Sequence, residues 1–90
     1  MQMETYLYLL HCADGSFYTG ITEDLVETVS EHIEGSNPDL FTYSRRPVKL
    51  VMYEKFSTPD QALQQKITIN SWHRKKKLEL LSRSQNKATL

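Results

Sequence analysis

The sequence predicts an α/β domain of three strands and about three helices. Three observations carry that prediction. Two short β-prone runs, Tyr6 to His11 and Ser16 to Gly20, flank an Asp14-Gly15 pair, and Asp-Gly between such runs is the strongest short-range signal for a tight hairpin. A third run, Val48 to Phe56, has the length and partial alternation of a strand. Two further segments open with helix-capping chemistry and continue with apolar residues at helical spacing.

Residues 1–5 read as a polar lead-in, with Met1 and Met3 both possible starts. The hairpin strands are expected near 5–11 and 16–20, so each presents a tyrosine, Tyr8 and Tyr18. Taken alone, such a pair is ordinary cross-strand packing. Gly20 is expected to close the second strand, where a residue without Cβ admits a close neighbour.

Thr22 is the expected N-cap of a first helix near 23–34, with Glu23 and Asp24 placed favourably in its first turn. Leu25, Val29 and Ile33, with Val26 beside them, mark its expected buried face, and Gly35 ends it. On another face Glu27, Glu31 and Glu34 form a carboxylate stripe, which reads as a solvated surface or as a docking face for a basic partner.

A loop of about a dozen residues then runs to Pro47, long enough for a lid or binding loop, and it holds Phe41, Tyr43, Arg45 and Arg46. In the third strand, near 48–56, Val51 interrupts the alternation of Val48, Leu50 and Met52. That predicts a central strand covered on both faces. Thr58, Pro59 and Gln61 supply a cap, a first-turn proline and a capping-box partner for a helix near 59–70. Leu63 and Ile67 are its expected inner face, with Ala62 and Ile69 nearby, and Trp72 falls at its end.

A last helix near 73–82 carries Arg74, Lys75, Lys76 and Lys77 ahead of Leu78, Leu80 and Leu81. The basic run reads as a solvated face or as a phosphate-binding patch. The domain is expected to span 4–82, with 83–90 a flexible tail.

The chain has 90 residues, enough for one domain with a modest core. Eleven basic and eleven acidic residues balance, so the global attraction to polyphosphate found in most nucleic-acid binders is absent. The acids nevertheless crowd the first half and the bases the second, which predicts a dipolar molecule. One cysteine, Cys12, forms no internal disulfide, and with no secretory-type segment this predicts a reduced, cytoplasmic compartment. Cys12 itself reads as a small half-buried hydrophobe. No apolar run approaches the ~20 residues of a membrane helix, so no membrane partner is expected. His11, His32 and His73 share no ligand spacing, so no metal site is read from them.

The tripeptides Tyr6-Leu7-Tyr8 and Tyr18-Thr19-Gly20, together with the block from Arg45 to Val51 and the block from Trp72 to Lys77, make the chain resemble the GIY-YIG endonuclease superfamily. The likeness is greatest to its small stand-alone, largely uncharacterised bacterial family, and it runs from about Tyr6 to Leu81. It implies a three-stranded, mainly antiparallel sheet flanked by helices. It also implies a site in which two tyrosines activate water, an arginine on the first helix stabilises phosphate charge, and a glutamate on a later helix holds one divalent metal.

Under this resemblance Tyr8 and Tyr18 match the tyrosines, and His32 matches a histidine common near the end of the first helix. The arginine position falls on Thr28, with the often-basic neighbour at Glu27, and the metal glutamate falls on Lys66. Losing one charge-stabilising contact costs on the order of 10² to 10³ in rate. An ammonium ~4 Å from a unit cation is repelled by about 4 kcal/mol at an effective dielectric near 20, and a divalent ion doubles that. The expectation is therefore a degenerate domain that acts by binding. Its ligand is either nucleic acid, through Arg45, Arg46 and the run Arg74 to Lys77, with Tyr43 and Trp72 for stacking, or a protein, through Glu27, Glu31 and Glu34. No cofactor is expected. The alternative is an active structure-specific endonuclease with relocated catalytic groups, and only that reading calls for Mg²⁺ or Mn²⁺.

Overall fold

The computed structural model describes residues 4–73 and 75–79. In chain order these form β1 (Thr5–Cys12), β2 (Phe17–Thr22), α1 (Leu25–Glu34), a 3-10 turn (Tyr43–Arg45), β3 (Val48–Phe56) and α2 (Pro59–Asn70), followed by a helical segment over 75–79. Arg74, the expected domain end at 82 and the tail 83–90 lie outside the described residues. Among the described residues no helix is long and apolar enough to cross a membrane.

The sheet is antiparallel throughout, in the order β2-β1-β3. The central strand is therefore β1, whose Leu7, Leu9 and Leu10 are fully buried, and the expectation that β3 is central is corrected. The broken alternation in β3 has another cause. Leu9 pairs with Met52 but Leu10 pairs with Leu50, which leaves Val51 as an extra residue in a β-bulge. Val51 and Met52 consequently both pack toward Leu7 and Leu9.

Each face of the sheet carries its own core. On one, Tyr8, Leu10, Cys12 and Val48 meet Leu25 and Val29 of α1; on the other, Leu7, Leu9 and Val51 meet Ile69 of α2, with Trp72 packed against them. Burial also pushes the Cys12 thiol above its ordinary pKa, which keeps it a small apolar group.

β2 runs two residues beyond Gly20, to Thr22, rather than closing there. Gly20 stands directly opposite Tyr8, and a Cβ at this position would fall on the Tyr8 phenol ring and hydroxyl. The missing side chain is what lets that ring lie across β2.

Both helices turn a different stripe inward from the one expected. α1 is capped by Asp24, whose Oδ1 accepts from the Glu27 N–H at 3.1 Å, not by Thr22. Its buried residues are Leu25, Val29 and His32, while Val26 is 67% and Ile33 48% exposed. A spacing of four residues drifts about 40° per step on a helix of 3.6 residues per turn, so the third member of such a row leaves the face. In α2 the same geometry buries Ala62 and Ile69 and leaves Leu63 and Ile67 exposed. Thr58 caps α2 as expected, accepting from the Gln61 N–H at 3.3 Å.

Candidate functional site

The face of the sheet under α1 gathers Tyr8, Tyr18 and His32. Tyr8 comes from the middle of β1, Tyr18 from β2 opposite Leu10, two positions along from the Tyr8–Gly20 pair, and His32 from the last turn of α1, where it takes a position that periodicity would give to a hydrophobe. The Tyr8 Oη lies 3.1 Å from His32 Nε2, and His32 Nδ1 lies 2.6 Å from Thr42 Oγ1. The Tyr18 ring sits 5.1 Å from His32 and 6.2 Å from Tyr8, and stacks at 5.7 Å on Phe41. Tyr8, His32 and Thr42 are buried, whereas Tyr18 is half-buried, at the mouth of the cluster.

Burial pushes the Tyr8 phenol well above its ordinary pKa, and the neighbouring Tyr18 acts in the same direction. Burial lowers the His32 pKa below its ordinary 6.5, against the pull of Glu31. A neutral His32 in one tautomer accepts from Tyr8 at Nε2 and donates from Nδ1 to Thr42; in the other both bonds reverse. The first polarises Tyr8 toward phenolate and continues a proton path to the loop.

Because the folded-state pKa of His32 lies below the unfolded one, the unfolded chain binds more protons just below pH 6.5. The stability due to neutral His32 is complete above 6.5 and is lost as pH falls toward the depressed folded value. Urea midpoints between pH 7.5 and 5.5 should fall more for the native chain than for His32→Gln; equal slopes would exclude His32 as the responsible group.

The positions matched to catalytic charges are placed as follows. Thr28 lies one turn before His32, its Oγ1 2.7 Å from Thr22 Oγ1. Glu31 is half-buried, close enough to act on both Tyr8 and His32. Glu27 is exposed, and its carboxyl is pushed up by a hydrogen bond to Asp24 and by the charges of Asp24 and Glu31. Glu34 is exposed, and its backbone carbonyl accepts from Arg46. Lys66 is half-buried in α2 without a hydrogen bond or ion pair among the described residues. Among the described residues no three His, Cys, Asp or Glu side chains come together.

The basic residues divide into two groups. Arg45 pairs with Asp14 at 3.1 Å, donates to the Phe41 carbonyl at 2.8 Å and lies 3.9 Å from the Phe41 ring centroid. Arg46 donates to the carbonyls of Tyr43 and Glu34 and lies over the Tyr43 ring at 4.7 Å. Both guanidinium groups hold the 36–47 loop in place. Lys75 and Lys76 are exposed and Lys77 half-buried, with Lys76 set 4.4 Å over Trp72. The aromatic rings expected to stack on bases, Tyr43 and Trp72, thus each carry a cation already.

Sequence reasoning missed Thr42 and Phe41 as members of the cluster. Thr42 is fully buried and bonds to a histidine ten residues earlier, a spacing that belongs to no local pattern. Phe41 was visible only as an aromatic in a loop.

A family model described as the GIY-YIG catalytic domain matches residues 4–79. A UPF0213 protein of Bacillus pumilus is 44% identical over 72 residues, covering 80% of this chain and 72% of that protein. A UPF0213 protein of Staphylococcus saprophyticus is 40% identical over 77 residues, covering 86% and 93%. Among solved structures, the UPF0213 protein of Bacillus halodurans is 34% identical with a TM-score of 0.55, covering 89% of this chain and 84% of that one. A protein of E. faecalis is 29% identical with a TM-score of 0.59, covering 100% and 97%.

Proposed function

The chain belongs to the GIY-YIG family, and from that premise we propose that it is a disarmed member, keeping the nuclease-like fold but working by binding rather than by cleavage. The observation that carries this reading is the charge of the cleft. Half-buried Glu31 stands next to His32 on α1, and at the position matched to the arginine Thr28 offers a hydroxyl already engaged by Thr22. A polyanion entering here meets the Glu31 carboxylate, and Arg45, the cation that lies over Phe41, is already paired with Asp14. The partner that suits this surface is a basic protein, received on the side of α1 that carries Glu27, Glu31 and Glu34.

Nucleic acid held on the distal face by Lys75, Lys76 and Lys77 is the second reading, favoured by the exposure of Lys75 and Lys76. The lone, buried Cys12 supports a reduced, cytoplasmic setting.

The test is incubation of the native chain with supercoiled plasmid and branched DNA in Mg²⁺ or Mn²⁺. No nicking is expected. Metal-dependent nicking abolished by Tyr18→Phe would overturn the reading in favour of an enzyme with relocated groups.

A further inference from the structure

The outer surface of α1 combines exposed hydrophobes with carboxylates that no described cation pairs. Val26 and Ile33, two turns apart on one flank, are 67% and 48% exposed, although both are β-branched hydrophobes. Beside them on the outer side run the exposed Glu27 and Glu34, and no lysine or arginine occurs anywhere in 23–34. Among the described residues the ion pairs are Arg45 with Asp14 and Lys55 with Glu4, and none of the α1 carboxylates is paired with a described cation. The crowding that pushes the Glu27 carboxyl up reflects this unrelieved charge.

The complementary surface exists on the same molecule. Lys75, Lys76 and Lys77 occupy consecutive helical positions, also without an ion pair among the described residues, and Leu78, next in sequence, is 37% exposed. An apolar side chain flanked by ammonium groups is the counterpart of Val26 and Ile33 flanked by carboxylates. The formal net charge of zero removes the long-range repulsion that holds most proteins apart, and the segregation of charge leaves attraction between the acidic and the basic surface of two copies.

We propose that α1 of one molecule docks on the 75–79 segment of a second copy, Val26 and Ile33 packing near Leu78 while the carboxylates meet the lysines. Because the two surfaces differ, the contact is head-to-tail and leaves one free surface of each kind, so assembly continues with concentration instead of stopping at a symmetric dimer. The inference rests on reading α1 as the docking face; the nuclease assay and the measurement below fail separately.

Sedimentation velocity on the full chain, from micromolar to millimolar, decides it. At about 20 mM salt the sedimentation coefficient should climb with concentration, and at about 500 mM the climb should vanish. Glu27→Lys with Glu34→Lys, or Lys75→Glu with Lys76→Glu, should each weaken association on the order of tenfold. Mixing the two variants should restore it, since each reversed face then finds its complement. A native chain that stays monomeric throughout would overturn the proposal. So would association that survives either reversal, or reversed variants that stay apart when mixed while circular dichroism shows both folded.

Discussion

Changing Thr28 to arginine and Lys66 to glutamate together is expected to turn a silent protein into a metal-dependent nuclease. On the proposed reading the tyrosines and His32 are already in place: Tyr8 is bonded to His32 and Tyr18 stands half-buried at the mouth. What is absent is charge. An arginine at 28 would replace the Thr28 to Thr22 hydroxyl contact with a cation directed at a phosphoryl oxygen, and a glutamate at 66 would supply the hard oxygen ligand that an ammonium denies. Each contact is worth on the order of 10² to 10³ in rate, and groups that act as a unit show little effect singly. Each single change should therefore stay near background, while the pair nicks plasmid in Mn²⁺ at a rate on the order of 10⁴ above it. Adding Glu31→Gln should raise cleavage further, because it removes the anion that acts on both Tyr8 and His32. A folded double variant that stays silent would show that Thr28 and Lys66 are not the positions concerned.

The largest effect on stability is expected at Gly20. An alanine there places its Cβ on the hydroxyl end of the Tyr8 ring, which the His32 bond holds in place. Neither β2 nor the ring can yield without disturbing the core of Leu10, Leu25 and Val29. Overpacking of this kind costs about 1–3 kcal/mol, and for a domain of this size each kcal/mol lowers Tm by about 4–8 °C. Thermal melts of Gly20→Ala measure it directly. The same substitution in a Tyr8→Ala background should cost far less, since the ring it collides with is gone. Equal costs in the two backgrounds would mean that the glycine serves the strand's backbone and not Tyr8.

The elements of this fold were legible because their signals are local. Asp14-Gly15, Thr58 with Pro59, and Gly35 each fix a boundary within a few residues, and the family resemblance supplied the antiparallel sense of the sheet but not that β1 is its centre. The orientation of each helix was less legible. Leu25, Val29 and Ile33 look like one face in a list, yet rotation carries Ile33 outward and His32 inward. The bulge at Val51 produced the broken alternation that a doubly covered strand also produces, and only the pairing with Leu9 and Leu10 separates the two. At the site, the tyrosines and His32 were identified by resemblance, but the support of His32 by Thr42 depends on how the chain folds back over residues 36–47. Such a contact is set by tertiary packing and leaves no periodic trace.

That folding back changes the meaning of the long loop. Arg45 and Arg46 grip carbonyls and rings on it, and Thr42 is buried beneath it against His32. A segment fastened from above and below is a wall, not a door. Whatever enters beside Tyr18 meets a surface whose ordering entropy was already spent when the protein folded, so it is selected by the fit of its own shape and charge, with little help from rearrangement of the host.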